Sequence, residues 1–129
     1  MSQSQNKNRP LSPFMIGPYY RPQLNSMTSI VTRITGVSLI LASVLVVWWF
    51  AALAIGPSAF AQADAILTST LGSLVLIGSV WALWYHLLAG MRHLIWDRGL
   101  ALEMATADAL SWGIIVGSVV LTIATISLV

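Results

Sequence analysis

The sequence predicts an all-α integral membrane protein, a bundle of three transmembrane helices. Three observations predict it. Hydrophobic residues make up 57% of the 129-residue chain and charged residues only 8%, against about 25% charged in an ordinary soluble domain. So few charges cannot coat a water-facing surface. The ionic residues are Lys7, Arg9, Arg21, Arg33, Asp64, Arg92, Asp97, Arg98, Glu103 and Asp108, and they leave residues 34–63, 65–91 and 109–129 free of charge. Each stretch reaches the roughly 20 apolar residues that a spanning helix needs. Hydrocarbon offers no partner to a backbone N–H or C=O, so the stretches must pair internally as helices. Finally, all six basic residues fall on one side of the expected bundle, four before or at the start of the first span and two between the second and third.

Residues 1–25 are polar and hold four of the five prolines, Pro10, Pro13, Pro18 and Pro22. Proline fixes φ and removes a donor, so one long helix is excluded there. The segment is expected along the cytoplasmic membrane surface, with Tyr19 and Tyr20 at headgroup level. Residues 26–129 form the membrane domain, with spans at about 30–55, 66–95 and 109–129. The first helix is predicted to start near Asn25 or Ser26, either of which could cap it, and to stop at Gly56-Pro57. A short connection follows, with Asp64 as its single charge. The second helix runs from about Ala65 to Trp96, residues 97–108 form a charged and partly helical loop, and the third helix fills 109–129.

The basic residues orient the bundle, because Lys and Arg mark cytoplasmic loops. The N-terminus is predicted in the cytoplasm, or a mitochondrial matrix, and the C-terminus outside. The first residues lack the apolar core of a secretory signal and the repeated arginines of a presequence. That favours a bacterial cytoplasmic membrane over a mitochondrial inner membrane. The net charge of +2 is spread among spans and reads as topology, not as a nucleic-acid surface. The absence of cysteine excludes disulfides and a cysteine-ligated iron–sulfur cluster on this chain.

Polar groups at membrane depth are costly and mark function. His86 lies six residues from Arg92, roughly 9 Å inside the expected boundary at 1.5 Å per residue. Gly90 at i+4 and His93 at i+7 share its helix face, and Ser79 and Gly72 extend that face. A neutral imidazole is a good axial ligand for haem iron, and a glycine one turn away would let a flat macrocycle approach. The alternative is that His86 hydrogen-bonds to another helix and holds the bundle together. His86 and His93 stand about 10 Å apart along the axis, too far to ligate one iron. His93 reads as an interfacial polar residue or as a partner for a cofactor carboxylate. Arg33 opens the first span, with Ser29 at i−4, Gly36 at i+3, and Ser26 and Thr32 nearby. A hydroxyl and a guanidinium one turn apart suit a quinone carbonyl or a haem propionate; the alternative is an arginine that reaches the headgroups as a topology anchor. Arg92 and Asp97 are expected to form an interfacial ion pair of little energetic weight.

Three runs then carry a resemblance. Arg9-Pro10-Leu11-Ser12-Pro13 precedes the first span, and Ser29-Ile30-Val31-Thr32-Arg33-Ile34-Thr35-Gly36 opens it. His86-Leu87-Leu88-Ala89-Gly90-Met91-Arg92-His93-Leu94-Ile95-Trp96-Asp97 closes the second. Over residues 9–129 the chain resembles the cytochrome b556 subunits of succinate dehydrogenase, the larger membrane anchors of respiratory complex II. The H-x-x-x-G-x-R-H-x-x-x-D run is the most specific part. The resemblance implies that His86 is one axial ligand of haem b, the other coming from a second, smaller membrane anchor subunit. It implies that Ser29 and Arg33 line a ubiquinone site beside an iron–sulfur subunit, and that a flavoprotein subunit oxidises succinate. The chain departs from many members at Thr32 and Phe14, where they carry histidine, and no role is carried to either position. Three other readings are an anchor of a quinol:fumarate reductase, a dihaem cytochrome b, and a non-redox structural or transport bundle. Two histidines cannot supply the four axial ligands of the dihaem case.

Overall fold

The computed structural model describes Phe14 and residues 20–129. Lys7, the Arg9–Pro13 run and Tyr19 lie outside the described residues. Within them the regular elements are four helices, α1 (Leu24–Ile55), α2 (Pro57–Leu67), α3 (Thr70–Asp97) and α4 (Met104–Leu128). Of these, α1, α3 and α4 are long and apolar enough to cross a membrane. At 1.5 Å per residue α1, with 32 residues, is about 48 Å long, which exceeds a hydrocarbon core of about 30 Å and carries its ends into the interfaces.

Two boundaries differ from the sequence expectation. The stretch expected as a plain connection is α2, and the second span starts at Thr70 instead of near Ala65. Pro57 sits at its N-terminus, where a missing N–H costs nothing, and the alanine-rich run behind it favours helix. Gly56 takes φ 142°, a conformation open to glycine, and so lets the chain turn from α1 into α2. Trp49 packs against Phe60, ring centres 5.4 Å apart, and ties α2 to α1. Thr68-Ser69 breaks the helix, and Ser69 caps α3 by accepting a hydrogen bond from Gly72 N at 3.1 Å. A side chain at Gly72 would collide with the carbonyls of Ile66 and Leu67, so this glycine serves the turn. At the other end, α4 starts at Met104 and absorbs Asp108.

The helices meet through small and polar side chains. The buried residues of α4 are Ala107, Ser111, Ile114, Ser118 and Thr122, a single seam with helical spacing. Trp84 donates to Thr125 Oγ1 at 2.9 Å, and Leu88 packs over Gly117. Small residues let membrane helices approach closely where lipid removes any hydrophobic drive to associate. By contrast, Ile34, Val37, Ile40, Leu41, Val44 and Val47 of α1 are all exposed, an apolar face turned outward.

Candidate functional site

The candidate residues lie toward one end of the bundle, where α1 begins, α3 ends and α4 begins. His86 is half-buried on α3 and reaches across to α1. Its Nδ1 lies 3.1 Å from the Thr32 carbonyl oxygen and 3.3 Å from Thr35 Oγ1. A carbonyl only accepts, and the Thr35 hydroxyl already donates to the same carbonyl at 2.9 Å. The proton of the neutral ring therefore sits on Nδ1 and is donated to Thr32. Nε2 makes no hydrogen bond among the described residues, so its lone pair is available. The helix-bridging contact therefore uses one nitrogen of the ring and leaves the other without a hydrogen bond among the described residues.

The glycine that matters to this histidine is Gly36. A Cβ there would lie 3.0 Å from His86 Cε1, so the ring rests on bare α1 backbone. Nothing lies within 4 Å of a Cβ built on Gly90. Thr35, which touches His86, also lines a cleft of about 520 Å³ between α1 and α3, with Ser38, Ala42, Gly78, Ser79 and Ala82. Ser79 lines this cleft, and His86 adjoins it through Thr35.

Ser29 and Arg33 stand one turn apart on α1, Ser29 half-buried and Arg33 exposed. Thr28, Thr32 and Thr35 all spend their hydroxyl protons on α1 carbonyls. Ser29 makes no hydrogen bond among the described residues, and neither does Arg33. A hydroxyl donor and a guanidinium therefore stand unengaged beside the stripe of α1 that receives His86. His93 is exposed, and among the described residues its one ring or polar contact is Trp96, edge to face at 5.6 Å. The structure does not bring it to His86 or Arg33. Asn25, expected as a helix cap, instead donates from Nδ2 to Asp108 Oδ1 at 2.7 Å, and α1 starts at Leu24 with Gln23 as an uncapped N-terminus.

Arg92 overturns its expectation most clearly. It forms no ion pair with Asp97, and no carboxylate meets it among the described residues. It is 1% exposed. Its Nη1 donates to Thr28 Oγ1 at 3.0 Å and to Ser111 Oγ at 2.7 Å, and the guanidinium lies 4.6 Å from the centre of the Trp96 ring. Helical geometry is the reason. Asp97 is five residues on, which turns it away from Arg92 around α3, while Ser111 and Thr28 face inward. The missed signal was the pair of hydroxyls on the other two helices.

Residues 5–125 match the family model of the succinate dehydrogenase/fumarate reductase transmembrane subunit. The chain belongs to this family. Among succinate dehydrogenase proteins, the cytochrome b556 subunit of Paracoccus denitrificans is 51% identical over 119 residues, 92% of this chain and 90% of that protein. The cytochrome b556 subunit of Rickettsia conorii is 34% identical over 115 residues, covering 89% and 88%. The cytochrome b560 subunit of Reclinomonas americana is 36% identical over 104 residues, covering 77% and 71%. Family membership and three apolar helices make this a membrane protein and one part of an oxidoreductase complex of the succinate dehydrogenase/fumarate reductase type.

Proposed function

We propose that the chain anchors a succinate:ubiquinone oxidoreductase in a bacterial cytoplasmic membrane, supplies one axial ligand to haem b and forms part of the ubiquinone-reduction site. The observation that carries this reading is the state of His86. Its Nδ1–H is engaged by the Thr32 carbonyl and its Nε2 is unengaged. Metal-binding histidines usually donate their second nitrogen to a carbonyl or carboxylate, which fixes the tautomer and raises ligand basicity. The neighbouring cleft, walled by Thr35, Ser38, Gly78 and Ser79, is roomy and mostly apolar, as a macrocycle needs. These features fit haem. When bound, it supplies a one-electron iron couple. His93, exposed near the end of α3, is the donor proposed for a haem propionate.

The remaining residues act on the quinone. Ubiquinone takes two electrons and two protons to become ubiquinol. Ser29 donates its unengaged hydroxyl to a quinone carbonyl oxygen and orients the ring. Arg33 holds a cation beside the oxygen on which negative charge develops before protonation. At 4 Å and an effective dielectric near 20, such a pair is worth about 4 kcal/mol, against about 1 in bulk water. The protein's part is thus a donor and a charge placed before the electron arrives.

Electrons and walls come from elsewhere. With no cysteine, the chain requires an iron–sulfur subunit to deliver electrons and a flavoprotein to oxidise succinate. One histidine at this level requires a second anchor subunit for the other axial ligand, and the exposed apolar face of α1 suits such a partner. The test is Arg33→Ala in the assembled complex. Succinate:ubiquinone activity should fall at least roughly tenfold, with succinate oxidation by a soluble dye retained. Equal loss in both assays would count against a quinone role.

A further inference from the structure

The proposed site does not use Arg92, although Arg92 is the largest fully buried side chain among the described residues. Its Nε and Nη2 are buried without a hydrogen-bond partner among the described residues. Burying a cation without a counter-charge is a net cost that stacking on Trp96 offsets only in part. Nor do the hydroxyls it meets require it. Thr28 Oγ1 donates to the Asn25 carbonyl at 3.1 Å, and Ser111 has the Ala107 carbonyl at 2.9 Å and Asn25 Oδ1 at 2.7 Å. Their polar demand is already met by their own helices and by Asn25.

The arginine's effect is therefore geometric. From α3, one nitrogen reaches α1 through Thr28 and α4 through Ser111. The α1–α4 junction is closed independently by Asn25 to Asp108 and by Ser111 to Asn25, both at 2.7 Å. Tyr85 adds a second tie from α3, donating to the Thr28 carbonyl at 3.2 Å. All of these bonds converge on the first turn of α1, and Thr28 immediately precedes Ser29.

We infer that Arg92 is a positioning residue for the quinone site: through Thr28 it sets the rotation and depth of the first turn of α1, and so where Ser29 and Arg33 stand. This rests on the reading that Ser29 and Arg33 meet the quinone. Arg92 touches no substrate.

The test uses the full complex and a short-chain ubiquinone analogue. Thr28→Val removes the acceptor and keeps the shape. Arg92→Met keeps much of the volume, and Arg92→Lys keeps a charge and a donor. Ser29→Ala and Arg33→Ala run in parallel. Thr28→Val and Arg92→Met should raise KM for the analogue about fivefold, modest beside the hundredfold that a 1 Å misplacement can cost. Arg92→Lys should fall between them and the parent. Dye-linked succinate oxidation and the b-type absorption band should stay as in the parent. Unchanged KM in Thr28→Val and Arg92→Met, while Ser29→Ala or Arg33→Ala raises it, would overturn the inference alone. Loss of the b-type band and dye activity in Thr28→Val would also overturn it, because the network would then serve assembly only. If neither Ser29→Ala nor Arg33→Ala moves KM, the quinone reading itself fails and this inference falls with it.

Discussion

A histidine has two nitrogens, and in His86 one ties two helices together while the other is the proposed haem ligand. Nδ1 binds α3 to the Thr32 carbonyl of α1, and Nε2 makes no hydrogen bond among the described residues. The ring can lie there only because position 36 has no side chain. Gly36→Val should therefore push the imidazole off α1 and shift or broaden the b-type absorption band, while dye-linked succinate oxidation stays intact. Gly36→Ala, whose Cβ needs only a few tenths of an ångström, should do less. His86, Ser29 and Arg33 could be singled out as candidates from the sequence because each is a polar group in or beside an apolar span, with features readable from spacing on one helix. Gly36 as the seat of His86 and Arg92 as a buried hub were not legible. Both depend on the register between helices, which spacing within one helix does not encode. For the same reason Gly90, at a suggestive i+4 from His86, faces open space.

At the scale of elements, two kinds of contact hold the bundle: a small-residue seam between α3 and α4, and polar ties at the basic end. The seam is sensitive to volume. A side chain at Gly117 meets Leu88 Cδ1, 3.1 Å from an added Cβ, and Gly117→Leu should cost about 1–3 kcal/mol by overpacking, seen as a lower melting temperature of the detergent-solubilised complex. Ser69→Ala removes the cap of α3 and should cost about 1 kcal/mol by the same measurement. The three spans were readable from apolar length alone. The break between α2 and α3 was not. Residues 57–67 carry one charge and many alanines, so hydropathy runs on through them into the second span. What ends α2 is local: the Thr68 hydroxyl donates to the Asp64 carbonyl at 2.7 Å, and Ser69 turns to cap the next helix.

For the whole molecule, basic residues at one end and an apolar outer face fit the orientation and the partnered assembly proposed for it. The proposed orientation puts the N-terminus, the 97–104 turn and the candidate site in the cytoplasm, where the proposed iron–sulfur subunit would deliver electrons. The chain has no cysteine, so single substitutions report topology directly. Ser58→Cys should react with a membrane-impermeant maleimide in intact cells, and Leu100→Cys only after the membrane is opened; the reverse pattern would contradict the orientation. The central claim is that His86 holds haem in a complex whose succinate chemistry resides in other subunits. It is tested most directly by the reduced-minus-oxidised spectrum of the purified complex carrying His86→Ala. The account predicts loss or displacement of the b-type band with dye-linked succinate oxidation retained; an unaltered band would contradict it.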